Sequence, residues 1–165
     1  MEAHNHFTCI AYNNVDFLIQ SKYVLFGIYL GEGEDDGNIV FNRETLPHIR
    51  IGHLLEKEFL CESMEGYNAV MVMNKRDFAN DICKQIEDFT ETAFPMNGNL
   101  AISVNTSVSS KIVDIETLRL IPQSIRERQL ECGVCAIGFA NKKQILISPD
   151  NLLRKFFSAG LIKKR

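Results

Sequence analysis

Short runs of aromatic and β-branched residues, each closed by a turn signal, limit the folds open to this chain more than any other feature. Residues 23–30 (YVLFGIYL) are almost wholly apolar, which predicts a strand buried on both faces, and residues 68–73 (NAVMVM) repeat the pattern. Such side chains fit a pleated sheet better than a helix. About nine such strands, with few helices, predict a mainly β fold built as barrels or a sandwich.

Turn residues separate the other strands. Asn13 and Asn14, which tolerate positive φ, lie between strands predicted at residues 6–12 and 15–20. Residues 103–110 (SVNTSVSS) are polar and β-branched, so they predict either a loop or a solvated strand. Further strands are predicted at residues 38–41, 46–51, 100–104, 132–139 and 144–147, the last two as a hairpin.

Helical signals are few and short. Ser148 can cap free backbone amides, and Pro149 at the first helical position sacrifices no hydrogen bond, so a short C-terminal helix is predicted after them. Residues 54–60 predict a short amphipathic helix, and the spacing of Ile82, Ile86 and Phe89 would also satisfy a helix.

Composition excludes several classes of function. The 165 residues fit one domain or two small, closely packed ones. Eighteen basic and 21 acidic residues give a net charge of −3, without the concentrated basic face that nucleic acid binding needs. No apolar run reaches the ~20 residues that span a bilayer, and the first residues lack a signal peptide. We therefore expect a cytoplasmic protein that does not insert into membranes.

The sharpest chemical motif is the CxxC pair of Cys132 and Cys135. Two residues of spacing can bring both sulfurs onto one bond or one zinc ion. Here the pair lies in a predicted strand, where positions i and i+3 point to opposite faces. Further ligands at zinc spacing are lacking, so we expect a structural role, with a small thiol redox enzyme as the alternative.

Other catalytic or metal-binding patterns are weaker still. The sequence contains no GxSxG elbow, P-loop or GxGxxG motif. His48 and His53 lack the spacing of a metal pair. The acidic loop at residues 31–37 (GEGEDDG) is interpreted as a solvated turn, with weak cation binding or partner steering as the alternative. We predict a protein that is not an enzyme and has no cofactor and no metal.

Four stretches resemble the chemotaxis coupling protein CheW family. They are residues 6–28 (HFTCIAYNNVDFLIQSKYVLFGI), 37–55 (GNIVFNRETLPHIRIGHLL), 68–89 (NAVMVMNKRDFANDICKQIEDF) and 121–156 (IPQSIRERQLECGVCAIGFANKKQILISPDNLLRKF). In the second, Gly37 stands ten residues before Pro47, like the glycine and proline of the family. The third is similar to two family strands joined by a turn, which favours strand over helix at residues 82–89.

The resemblance implies a fold and a function. The fold would be two interlocked, five-stranded SH3-like β-barrels with a short C-terminal helix, forming a single CheW-like domain over residues 1–165. The function would be that of a non-catalytic adaptor that joins chemoreceptor tips to the regulatory domain of the histidine kinase CheA. The receptor-binding residues implied by matching are Gly37, Asn42, Arg43 and Gly133. The kinase-binding residues implied are Ile39, Phe41, Leu46 and Ile49.

Several signature positions depart from the family pattern. Asn42 and Arg43 stand where the family has arginine and glycine, and Arg50 stands where it has aspartate. Asn80 and Lys84 fall on a family glycine and aspartate. These changes keep open a second interpretation, a diverged module of the same fold that binds another signalling protein without coupling.

Overall fold

The computed structural model describes residues 6–30, 39–62, 68–120, 134–139 and 142–158, and these ranges contain twelve strands and three α-helices. The strands are β1 (His6–Ala11), β2 (Val15–Gln20), β3 (Phe26–Leu30), β4 (Ile39–Phe41), β5 (Glu44–Leu46), β6 (His48–Arg50), β7 (Asn68–Asn74), β8 (Asn99–Val104), β9 (Ser107–Ile112), β10 (Leu118–Leu120), β11 (Val134–Phe139) and β12 (Lys143–Ile147). The helices are α1 (Gly52–Phe59), α2 (Asn80–Thr90) and α3 (Pro149–Ser158).

The strands form two larger sheets and one hairpin. The six-stranded sheet has the order β10-β11-β12-β2-β1-β9, and the four-stranded sheet has the order β3-β7-β8-β6. Most neighbours are antiparallel, but β12 pairs with β2, and β6 with β8, in parallel. The prediction of a mainly β fold with a short C-terminal helix is confirmed. Across the described residues both larger sheets keep two free edges, so the barrels implied by the resemblance are present as open sheets.

A main core joins the facing sides of the two larger sheets. Because side chains alternate along a strand, β2 directs Phe17 and Ile19 to this core and Leu18 to the opposite face. All three helices contribute to the main core through Leu54, Leu55, Ile82, Ile86, Leu152 and Leu153. The opposite faces have clusters of their own. The hairpin cluster contains Ile39, Leu46, Val70, Val72 and Ala101, and the outer cluster contains Phe7, Cys9, Leu18 and Val113.

The expectation of a strand at residues 82–89 is wrong, because these residues belong to helix α2. Ile82 and Ile86 are four residues apart on one helix face and are both buried in the main core. Phe89 completes that face with edge contacts to Phe156 and Phe157 of α3. The helical spacing of the apolar residues gave the correct prediction, whereas the family resemblance favoured a strand.

The expectation that residues 23–30 form a strand buried on both faces is also wrong. The strand begins only at Phe26, after a 3₁₀ turn at Ser21–Tyr23. Phe26 and Ile28 pack against the hairpin cluster, whereas Leu25 and Tyr29 are exposed. One face of β3 is exposed because this strand lies at the edge of the four-stranded sheet.

Other predicted elements are confirmed with shifted ends. Residues 46–51 divide at Pro47 into the end of β5 and β6, and residues 107–112 form β9, the solvated strand of the two alternatives. Helix α1 begins at Gly52, where a Cβ atom would lie 2.6 Å from Oδ1 of Asn105. A Cβ there would displace the Asn105 side chain, which hydrogen-bonds to Tyr12 and Glu56, so glycine suits this close approach between α1 and the chain after β8.

A buried ion triad ties three parts of the six-stranded sheet together. Asp16 of β2 is 3% exposed; its Oδ2 accepts a hydrogen bond from Lys111 Nζ at 2.8 Å, and its Oδ1 lies 2.9 Å from Lys142 Nζ. Lys111 belongs to β9, and Lys142 precedes β12. Burial alone would raise the pKa of Asp16, but the hydrogen bonds and charges of the two lysines outweigh it and lower the pKa.

The triad predicts a loss of stability in acid. Since the pKa of Asp16 is lower in the folded than in the unfolded state, its contribution is complete above about pH 5 and is lost as pH falls through the folded pKa. We expect Asp16→Asn to reduce the free energy of unfolding by about 2 kcal/mol at neutral pH, because it removes one partner of a buried pair. Urea unfolding from pH 7 to pH 2 should show the difference from wild type shrinking in acid. The exposed substitution Asp88→Asn is the control, and a pH-independent difference would contradict the assignment.

Helix α3 also caps helix α2. Oδ1 of Asp150, in the first turn of α3, accepts a hydrogen bond from the backbone N–H of Ala79 at 2.9 Å. Arg154 bridges Oδ2 of Asp81 at 2.8 Å and Oδ2 of Asp150 at 3.4 Å. A carboxylate thus satisfies a free amide at the start of α2 from outside that helix.

We expect Asp150→Ala to lower the free energy of unfolding by about 1 kcal/mol, as the loss of a helix cap does. Asp81→Asn removes the charge of the exposed ion pair but keeps a side-chain oxygen for the first amides of α2, and it should cost clearly less. Chemical unfolding followed by circular dichroism compares the two. Equal losses in both variants would show that the cap contributes nothing beyond the surface charge.

Candidate interaction surface

The β4–β5 hairpin presents Asn42 and Arg43 at its tip. Phe41 pairs with Glu44, which leaves these two residues as the complete loop. Both have positive φ, 53° at Asn42 and 68° at Arg43, as the type I′ turn of a two-residue hairpin requires. Asparagine adopts this conformation readily, but arginine has a Cβ that opposes it. The tip therefore holds an exposed arginine in a backbone conformation that favours glycine.

The inward face of the hairpin fixes its position on the protein. Ile39 and Leu46 are buried against Val70 and Val72 of β7. The ring of Phe41 packs on that of Phe26 with centroids 4.7 Å apart. The hairpin thus covers the face of the four-stranded sheet that points away from the main core, and its tip is held by packing.

Burial limits what the predicted kinase-binding residues can contact. Ile49 is 0% exposed and belongs to the main core, and Ile39 and Leu46 are buried in the hairpin cluster. These three side chains stabilise the fold and offer no surface to a partner. Phe41 is only partly buried, so its side chain still has surface for the predicted kinase contact.

Sequence reasoning missed Val40, the exposed apolar residue of the hairpin. It lies between Ile39 and Phe41 and is 59% exposed, because alternate residues of β4 face opposite sides. The alternation of side chains along a strand was the sequence signal that could have identified Val40. Together with Arg43 it forms a small surface with an apolar part and a cationic part.

The structure brings together two of the four predicted receptor-binding residues. Asn42 and Arg43 are adjacent and exposed, whereas Gly37 and Gly133 lie outside the described residues. The matching of Asn80 and Lys84 to strand positions is wrong, since both lie on α2. Arg50 is exposed at the end of β6, where it lines a small pocket of about 190 Å³ with Asn68, Asn105 and others.

The described cysteines have the properties of protonated thiols. Burial raises the pKa of Cys135 and of Cys83. Burial, assisted by Asp16, raises that of Cys9 to about 12, and burial, assisted by Glu56, raises that of Cys61 to about 12. Thiolate is the reactive form, so these groups are poor nucleophiles near neutral pH. Cys132, the other half of the CxxC motif, lies outside the described residues.

The histidines make local polar contacts. His48 Nε2 lies 2.8 Å from Ser103 Oγ, and His53 Nδ1 lies 3.4 Å from Glu56 Oε1. Where the chain is described, no three histidine, cysteine, aspartate or glutamate side chains approach closely enough to hold a metal ion. Within the same ranges, no helix has both the length and the apolar character to cross a membrane.

Comparison with known proteins identifies the fold. No protein-family model matches the chain, and no curated protein matches it in sequence. The structure is similar to the crystal structure of the scaffolding protein TtCheW from Thermoanaerobacter tengcongensis, with a TM-score of 0.50. The similarity covers 90% of this chain and 91% of that one, at 11% sequence identity. The chain therefore has the fold of a CheW-type scaffold.

The strained tip predicts that Arg43→Gly stabilises the protein. Glycine adopts positive φ without a Cβ clash, and we expect the free energy of unfolding to rise by about 0.5 to 1 kcal/mol. Thr45→Gly, on the extended strand β5 of the same hairpin, is the matched control and should be destabilising by a similar amount. Thermal unfolding of both variants provides the test. A loss of stability in Arg43→Gly would show that the side chain, not the backbone, dominates at this position.

Proposed function

We propose that this protein is a non-catalytic, CheW-like adaptor that couples chemoreceptors to the histidine kinase CheA in the cytoplasm. The observation that carries the proposal is the similarity of fold to a CheW scaffold over nine-tenths of both chains. At 11% identity this similarity concerns the backbone. The role in coupling also rests on the sequence resemblance, above all on the stretch at residues 121–156.

The receptor contact is assigned to the tip of the hairpin. Arg43 carries five N–H donors in a planar fork, which suits carboxylate groups on the surface of a partner. A tip held by packing pays little conformational entropy when it binds. Asn42 lies beside it, and Gly37 and Gly133 belong to the same proposed site through the family matching.

The kinase contact is assigned to the exposed side of the same hairpin and to its edge. Val40 supplies apolar surface, and Phe41 is partly accessible beside it. Ile39 and Leu46 would support this surface from beneath, whereas Ile49 lies in the main core on the other face of the sheet. A small apolar centre with a polar rim is the usual composition of such an interface. In this proposal residues 1–165 act as a single CheW-like domain with neither cofactor nor nucleic acid.

Helix α2 favours a second candidate function. The resemblance predicted a strand at residues 82–89, whereas this chain has a helix there that packs on α3. This departure, together with Asn42 and Arg43 at the tip, suits a diverged module that binds another signalling protein. A thiol redox enzyme has less support, since burial keeps the described thiols protonated.

Co-sedimentation with assemblies of chemoreceptor and CheA from the source organism tests the coupling role. The wild-type protein should sediment with the assembly, and Arg43→Glu should bind about tenfold more weakly, as the loss of a central arginine contact does. Arg76→Glu makes the same charge change at another exposed arginine and should bind like wild type.

The outcomes separate the two candidates. If the wild-type protein does not sediment with the assembly, the coupling role is overturned and the diverged module is favoured. If wild type sediments and Arg43→Glu sediments equally well, the adaptor role stands and the hairpin tip is not its receptor contact.

A further inference from the structure

A pocket of about 540 Å³ opens beside the outer cluster, on the side of the six-stranded sheet opposite the main core. Its lining includes the polar side chains of Asp16, Lys111, Asp114, Lys142 and Gln144. Asp16 lies two residues before Leu18 on β2, and Gln144 two residues before Leu146 on β12, so both face the outer cluster. Asp16 and Gln144 are also direct partners in the parallel pairing of these strands. Strand geometry thus places two buried polar side chains together in one wall.

The two lysines bring hydrogen-bond donors to this pocket. Each ammonium group has three N–H bonds. Lys111 donates one of them to Oδ2 of Asp16, and Lys142 donates one to the carbonyl oxygen of Tyr12. Lys142 Nζ also lies 2.9 Å from Oδ1 of Asp16, as an ion pair. About a third of each lysine side chain is exposed. Among the described residues, both ammonium groups therefore keep N–H bonds available for an acceptor in the pocket.

The side chain of Gln144 needs a hydrogen-bond donor from the ligand, whereas the lysines need acceptors. Gln144 is 2% exposed, and its Oε1 is buried and has no hydrogen-bond partner within the part of the chain that the structure describes. A buried carbonyl oxygen without a donor is costly, so the pocket is incomplete with respect to its hydrogen bonds. A ligand that completes it must offer several acceptor oxygens to the lysines and one donor to Gln144.

We propose that this pocket binds free inorganic phosphate. At neutral pH, phosphate has both unprotonated oxygens for Lys111 and Lys142 and an O–H group for Oε1 of Gln144. Sulfate has the same shape but no O–H group. The lining carries two lysines and two aspartates, and Asp114 is already engaged with the backbone N–H of Glu116. Selection therefore depends on the pattern of hydrogen bonds rather than on net charge, and we expect affinity in the millimolar range.

Calorimetric titration of the full chain at fixed ionic strength tests the proposal. Inorganic phosphate should bind one to one, and sulfate about tenfold more weakly, the effect of one buried hydrogen bond. Phosphoserine separates the sources of phosphate, because its second pKa is about 6 and it is mainly without an O–H group at neutral pH. It should bind like sulfate. If phosphoserine binds more tightly than inorganic phosphate, the proposal that the ligand is the free ion is overturned.

Three variants locate the binding. Gln144→Met has a similar shape and removes an unpaired buried oxygen, so it should fold, and it should lower phosphate affinity to that of sulfate. Lys111→Gln removes one of the two ammonium groups and should weaken both anions by about tenfold or more. Lys143→Gln changes an exposed neighbouring lysine that does not line the pocket, and it should have no effect.

Two results would overturn the proposal. The first is a lack of selectivity: phosphate and sulfate bind equally, or Lys143→Gln weakens phosphate binding as much as Lys111→Gln does. Binding would then reflect general attraction of anions to lysine. The second is that phosphate does not bind at millimolar concentration, which would mean that a water molecule donates the missing hydrogen bond to Oε1 of Gln144. If Lys111→Gln fails to fold, the comparison of phosphate with sulfate in Gln144→Met still decides.

Discussion

The central strands of the two larger sheets are covered on both faces, and the rest of the architecture depends on this constraint. On β7, Met71 packs in the main core while Val70 and Val72, its neighbours along the strand, pack under the hairpin. On β2, Phe17 and Leu18 divide in the same way between the main core and the outer cluster. A strand covered on both faces needs apolar residues at successive positions, which explains the near-continuous runs in the sequence. The hairpin β4–β5 is present because one of these faces has to be covered.

The same constraint decides how much of the fold could be predicted from the sequence. Runs such as residues 68–73 identify central strands because no other element of that length buries every residue. The prediction fails for β3, where Tyr29 is exposed, since apolar composition does not distinguish an edge strand from a central one. It fails again at α2, where Ile82 and Ile86 have the spacing of a helix but family resemblance favoured a strand. Local periodicity was the better guide because it reports directly which face is buried.

The candidate surface was predictable only in part for a related reason. The sequence predicts short strands at residues 38–41 and 46–51, and the resemblance draws attention to Asn42 and Arg43 between them. Whether Ile39 or Val40 faces outward depends on register, because a shift of one residue reverses every side chain. The structure settles this, with Ile39 buried and Val40 exposed. The pocket beside Asp16 was not predicted at all, because Lys111 and Lys142 are 95 and 126 residues away in sequence from the aspartate they contact.

Low sequence identity and shared fold are compatible here because the two depend on different residues. The backbone is maintained by which positions are buried, and Ile, Val, Leu, Met and Phe can exchange there at modest cost when volume is conserved. The surface that would contact partners is free of this requirement, so it can diverge while the sheets persist. The hairpin tip therefore says more about function than the core does. Arg43 adopts a conformation that glycine would adopt more easily. This backbone strain is the structural reason to propose that its guanidinium group contacts a partner.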